Sequence, residues 1–185
     1  MNKIIISYLI FCLSSFAAET VTPGLKAGDQ APPIILRNMD GTFTRLSQFT
    51  GKKLYKPWKN KKKHVVILSF WATDCIPCQQ EIPQMEKLAA KYQDNVKLLL
   101  ISIDRKGKEI IAPFLKDNPF NSTVLLDLYQ KTAERYNATR VPTLVVIDKD
   151  GVIRYLESGY KGKQQLNQIE KIIKKYQAQK KPGKH

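Results

Sequence analysis

The sequence predicts an α/β fold, with a central mixed β-sheet, helices on both faces and an amino-terminal β-hairpin extension. Three observations carry that expectation. Two short, continuous apolar runs rich in β-branched residues, 65–70 and 96–103, read as strands covered on both faces. Segments after them place apolar residues at helical spacing, so strand and helix alternate along the chain. The composition, 43% hydrophobic and 25% charged over 185 residues, suits one globular domain and excludes long disorder, collagen and low-complexity chains.

Residues 1–17 read as a secretory signal. Lys3 gives a basic start, residues 4–13 an apolar run, and Ser15-Phe16-Ala17 a small-x-small cleavage pattern. An uncleaved anchor is the alternative, although the run falls short of the roughly 20 apolar residues that span a bilayer. Cys12 follows Phe11 rather than the small residue a lipid-attachment cysteine needs, so it is expected to leave with the signal. No later stretch reaches 18 uncharged apolar residues, which excludes a multi-span membrane protein.

Next, Ile34-Ile35-Leu36 and Thr42-Phe43-Thr44 flank Asn38-Met39-Asp40-Gly41, a short hairpin with a glycine-containing turn. Gly51, Pro57 and Asn60 punctuate a lysine-rich loop. After the strand at 65–70, Ile82, Met85, Leu88, Ala89 and Tyr92 form one face of a helix, which Pro83 is expected to kink. A strand at 96–103, a helix at 106–116 and a short helix at 130–136 follow. Then come a strand at 143–147, a tight turn at Lys149-Asp150-Gly151 and a strand at 152–156. Leu166, Ile169, Ile172, Ile173 and Tyr176 make the inner face of a closing helix. Residues 18–178 thus form one domain, and residues 179–185 a basic tail.

The net charge of +15 is concentrated. No acid stands between Asp40 and Asp74, while Arg45, Lys52, Lys53, Lys56, Lys59, Lys61, Lys62 and Lys63 do; after Glu170 six lysines run without an acid. If the closing helix runs away from the site at 75–78, both groups gather at the opposite pole. Such a pole suits an anionic membrane surface or an acidic partner, with a merely solvated loop and tail as the plain alternative. Nucleic acid is disfavoured, because only Tyr55 and Trp58 interleave with the lysines.

Removal of the signal leaves Cys75 and Cys78, separated by two residues where a strand hands over to a helix. Cys75 falls at the helix start, where unpaired backbone N–H groups and the helix dipole favour a thiolate. Cys78 lies on the same side, close enough to attack a mixed disulfide formed at Cys75. Cys75 reads as the nucleophile and Cys78 as the resolving thiol. Half a zinc site is the competing reading, but beyond these cysteines only His64 and His185 remain as soft ligands. No cofactor and no metal are expected.

Phe70-Trp71-Ala72-Thr73-Asp74-Cys75-Ile76-Pro77-Cys78, followed by Glu81 and Pro83, resembles the active site of the thioredoxin superfamily. It is most similar to the exported bacterial thiol-disulfide oxidoreductases of the TlpA/ResA-like type. Ala27-Gly28-Asp29-Gln30-Ala31-Pro32, the Asn38 turn, Leu46 and Gly51 resemble their amino-terminal extension. Val141-Pro142-Thr143 resembles the loop whose proline is cis, and Ile147-Asp148-Lys149-Asp150-Gly151 the hairpin after it.

The resemblance implies that Pro142 packs beside Cys75 and that the adjacent backbone pairs with a bound peptide. Trp71, Ile76, Pro77, Val141 and Pro142 are the substrate-binding residues it implies. In that subfamily an acid at the position of Glu81 accompanies reactivity. Three residues beyond Cys78 on one helix, Glu81 is placed to relay a proton to the buried thiol. A plain dipole contact in the first turns is the alternative. Many thioredoxins carry an acid where this chain has Ser69, and often an aromatic residue where it has Asp74, whose charge disfavours a neighbouring thiolate.

The implied function is an exported, periplasmic thiol-disulfide oxidoreductase acting on protein substrates. It would work as a reductant fed by a membrane electron donor, with cytochrome c maturation as the implied task. A thiol peroxidase is the first alternative, disfavoured because its usual threonine is Ala72 here. A copper-handling module is the second, and it would need a wider cysteine spacing and a better-placed histidine than His185.

Overall fold

The computed structural model describes residues 24–51 and 62–177. The expected signal, residues 52–61 of the lysine-rich loop and the basic tail lie outside the described residues.

The hairpin forms as β1 (Ile35–Asn38) and β2 (Phe43–Arg45), with Gly41 at φ 92° in the turn that Asp40 closes by accepting from Thr42 N–H. β3 (Val65–Trp71) is buried at every position because it has a neighbour on each side and helices or loops over each face. It leads into α1 (Ile76–Lys91), which buries Cys78, Glu81, Ile82, Met85 and Leu88. Pro83 lies on an exposed face of α1, and the helix continues past it to Lys91. β4 (Val96–Ser102) and α2 (Lys108–Asp117) follow as expected.

β5 (Thr123–Leu126) is a strand that the periodicity did not reveal. Four residues are too few for a pattern, yet β5 joins the amino-terminal hairpin to the rest of the sheet by pairing with both β4 and β1. α3 (Lys131–Arg135), β6 (Thr143–Ile147), β7 (Ile153–Ser158) and α4 (Lys163–Gln177) complete the described chain. β7 starts one residue later than expected because Val152 bridges to Gln30 of the amino-terminal segment.

Among the described residues the sheet has seven strands in the order β2-β1-β5-β4-β3-β6-β7. β3, β4 and β5 are parallel; β1 and β6 run against their neighbours. Alternation along β3 sends Val65, Ile67 and Trp71 into one core with α1, α2 and α4, and Val66, Leu68 and Phe70 into another with α3 and the amino-terminal extension. Helices thus cover both faces. Each fully buried Leu, Ile or Met side chain contributes about 1.5–3 kcal/mol, so the two cores hold the carboxyl ends of β3 and β4 and the amino end of β6 as a rigid platform.

The described lysines at the amino end of β3 gather far from that platform. Lys63 pairs with Asp150 at 3.1 Å, and Lys149 Nζ donates to the carbonyl of Gln177 at the end of α4. The β6–β7 turn lies here, with Gly151 at φ 85° and so close to Gly51 that a Cβ would stand 3.1 Å from the Gly51 Cα.

Candidate active site

β3 ends at Trp71, and a short turn returns the chain to start α1 at its platform end. Cys75 is the N-cap of α1, with extended backbone (φ −86°, ψ 94°), and its sulfur accepts the Cys78 N–H at 3.2 Å. The helix start thus offers an N–H to that sulfur, which stabilises negative charge there. Pro77 sits in the first turn, where its missing N–H costs nothing. Cys75 and Cys78 are joined as a disulfide with Cα atoms 5.2 Å apart. Cys78 exposes nothing to solvent and Cys75 exposes 7%, so the first cysteine is the more accessible of the two.

Exposed apolar side chains flank the sulfurs: Ile76 is 68% exposed and Pro77 is also at the surface. The Val141–Pro142 bond is cis, with Val141 half-buried and Pro142 buried. β3 and β6 pair from Val66–Ile147 to Phe70–Thr143, so the next step of this register sets Pro142 opposite Trp71, at the end of β3 that leads to Cys75. Gly159 N–H donates to the Pro142 carbonyl at 2.7 Å, and Thr143 and Ser158 share a hydroxyl bond, which tie the loop to the end of β7.

Trp71 departs from expectation. Rather than lining a substrate groove, its side chain is fully buried between Phe114 and Phe120, with ring centroids 5.5 and 5.3 Å away. The odd positions of β3 face the α1 side of the sheet, so Trp71 is driven into that core and supports the site from below. Its indole Nε1 has no hydrogen-bond partner among the described residues.

Three residues after Cys78 lies Glu81, fully buried on the inner face of α1. Ser69 Oγ donates to its Oε1 at 3.0 Å, while Oε2 has no hydrogen-bond partner among the described residues. Burial pushes the Glu81 carboxyl up to about 7, against the opposing pull of the Ser69 bond. The strand position that holds an acid in many thioredoxins here holds the hydroxyl that grips an acid on the helix.

Asp104 was not legible as a site residue. Just past β4, its carboxylate accepts from Thr73 N–H at 3.0 Å, Thr73 Oγ1 at 3.2 Å and Ser102 Oγ at 2.8 Å. Those bonds fix the turn that delivers Cys75. An acid directly after an apolar strand is the signal that marks it.

A sequence profile of the AhpC/TSA family matches residues 27–156, and the chain belongs to that family. It is 31% identical over 147 residues to the thioredoxin-like protein YneN of Bacillus subtilis, covering 78% of this chain and 79% of that one. It is 30% identical over 153 residues to the thiol-disulfide oxidoreductase ResA of Bacillus thuringiensis, covering 82% and 79%. A Chlorobium tepidum structure assigned as the thiol:disulfide interchange protein DsbE superposes with a TM-score of 0.71 at 28% identity, over 84% of this chain and all of that one. Fold, cysteine pair and relatives together define a thiol-disulfide oxidoreductase of thioredoxin-like fold.

Proposed function

We propose that the protein is an exported reductant of protein disulfides, with Cys75 as nucleophile, Cys78 as resolving thiol and Glu81 as the acid–base partner of Cys78. The supporting observation is the joined Cys75–Cys78 pair at the N-cap of α1, a helix that also buries the Glu81 carboxyl, with a cis Val141–Pro142 bond just before the strand that pairs with β3. In the reduced protein, Cys75 thiolate attacks a substrate disulfide and releases one substrate thiol. Cys78 gives its proton to Glu81 and attacks the Cys75 sulfur, which frees the second thiol and closes the disulfide. Ile76, Pro77, Val141 and the Pro142 backbone receive the substrate segment, and a membrane electron donor restores the dithiol. Cytochrome c maturation is the task this reading assigns.

The basic pole, which includes Lys62, Lys63, Lys97 and Lys149, rests on an anionic membrane surface and leaves the disulfide facing the aqueous compartment. Salt-sensitive binding to anionic but not neutral vesicles tests that arm.

The reduction potential, measured by equilibration with glutathione, tests the direction of electron flow. A value near about −270 mV supports a reductant; one near about −120 mV makes the protein an oxidant and overturns the assignment. Peroxide turnover comparable to insulin reduction would instead favour the peroxidase alternative.

A further inference from the structure

The outer side of α1 next to Cys75 is not uniformly polar. Cys75, Gln79, Pro83 and Glu86 follow one another at four, four and three residues, so at 3.6 residues per turn they line one stripe of the helix. The buried face is a different one, made by Cys78, Glu81, Ile82, Met85 and Leu88.

Alongside the stripe stand α2 and the segment that joins it to β5. Gln79, Pro83 and Glu86 form one side of a cavity of about 170 Å3, and Phe114, Asn118, Pro119 and Phe120 form the other. Both phenylalanines are only half-buried. Their rings rest on fully buried Trp71 and on each other, with centroids 5.5, 5.3 and 6.1 Å apart, which makes a fixed apolar wall. Glu86 brings a negative charge that disfavours an acidic guest, and its Oε1 already accepts the N–H groups of Asn121 and Ser122 at 2.8 Å each. An apolar cavity of about 150 Å3 holds a benzene-sized group, so this one takes a single aromatic or large aliphatic side chain. It shares Pro83 and Glu86 with a wider cleft of about 570 Å3 beside Ala90, Gln93 and Thr123, so the depression continues along α1. An open-ended depression suits a polypeptide passing through, whereas a small ligand needs enclosure on most sides.

We propose that this cavity is a second anchor for protein substrates, receiving one aromatic or large aliphatic side chain of the polypeptide whose cysteine reacts at Cys75. This rests on the thiol-exchange reading given above. Gln79 and Pro83 lie four and eight residues beyond Cys75, about 6 and 12 Å along the helix axis. An extended chain covers about 3.3 Å per residue, so the anchored side chain belongs about two to four residues from the substrate's reacting cysteine. The cavity lies on the β4 side of the site, because α2 follows β4, whereas the Val141–Pro142 loop stands on the β6 side. A substrate held on both sides presents its sulfur to Cys75 in a fixed approach. Phe114, Pro119 and Phe120 select among substrates and take no part in the sulfur chemistry.

The test uses ten-residue peptides that carry one cysteine as a mixed disulfide with glutathione, and a phenylalanine or an alanine three residues before or after it. Second-order rate constants for their reduction by the dithiol form of the full chain are compared as phenylalanine-to-alanine ratios. In the wild type the ratio is expected to reach at least five for one of the two placements. It should fall to about one in Pro119→Trp, which fills the cavity from an exposed position, and in Phe120→Ala, which removes part of its apolar wall. The ratio is internal to each variant, so a general loss of rate or stability does not imitate the effect. Trapping the better peptide on Cys78→Ser should also bring its ring within nuclear Overhauser range of the Phe114 and Phe120 ring protons, a measurement that needs no cavity variant. Ratios near one at both placements in the wild type, ratios unchanged in both cavity variants, or a trapped ring without contact to Phe114 and Phe120 overturn the anchor. A dithiol form that reduces none of the peptides would sink the thiol-exchange reading itself, a result distinct from failure of the anchor alone.

Discussion

Ser69 Oγ and Glu81 Oε1 meet at 3.0 Å in a region that neither residue shares with solvent. The strand supplies the donor and the helix the acid, so the bond fixes the carboxyl between β3 and α1. The same burial that positions Glu81 makes its ionised form costly.

Stability should therefore fall as pH rises. The Glu81 carboxyl stands at about 7 in the fold against 4.5 when unfolded, so between those values the folded protein keeps a proton the unfolded chain has released. Stability is highest below about pH 4.5 on this account, declines toward pH 7 and stays reduced above it, by up to about 3 kcal/mol. Urea unfolding of oxidised Glu81→Gln should show a gain over wild type at pH 8 that vanishes at pH 4. Ser69→Ala should move the wild-type titration further upward, because it removes the bond that favours the carboxylate.

His64 has the opposite sign. Buried and near Lys97, Lys62 and Lys149, its imidazole is lowered from 6.5 to about 4, first by burial and then by those charges. The unfolded chain takes up a proton below about pH 6.5 that the folded protein refuses. This contribution is fully present above pH 6.5 and is lost as pH falls toward 4. His64→Phe should flatten that acid limb in urea midpoints measured between pH 4 and 7; an unchanged slope would remove His64 from the account.

Cysteine roles separate by trapping. Cys78→Ser should accumulate a mixed disulfide between Cys75 and a model protein substrate, visible by mass spectrometry, whereas Cys75→Ser should yield none. Insulin reduction should drop to background in both. Trapping through Cys78 instead would reverse the assignment.

Asp104 accepts three hydrogen bonds, two of them from Thr73. Asp104→Ala should cost about 1–3 kcal/mol of stability. Amide exchange at Thr73 should speed up, and disulfide closure should slow as Cys75 loses its fixed approach. Stability loss with unchanged exchange at Thr73 would make the effect general rather than local.

The order of β3, α1 and the cysteine pair was legible because each depends on neighbours a few residues away. A six-residue run at 65–70, a 3.6-residue period and a two-residue gap between thiols are local facts. β5 was not legible: its four residues become a strand only because β4 and β1 offer hydrogen-bonding edges on either side. Trp71 looked available to substrate until the direction of β3's odd positions placed it under α1 and α2.

Ser69 and Glu81 were both noticed as residues, and their meeting was not, since 12 residues separate them in sequence. Thr73 and Asp104 are 31 apart. The chain by itself determined which side chains carry sulfur, charge and apolar surface, and where strands and helices can start. Only the packed sheet decided which of them share a low-dielectric interior, because burial, and with it the proton affinity of Glu81 and His64, belongs to the whole assembly of strands and helices rather than to any one segment.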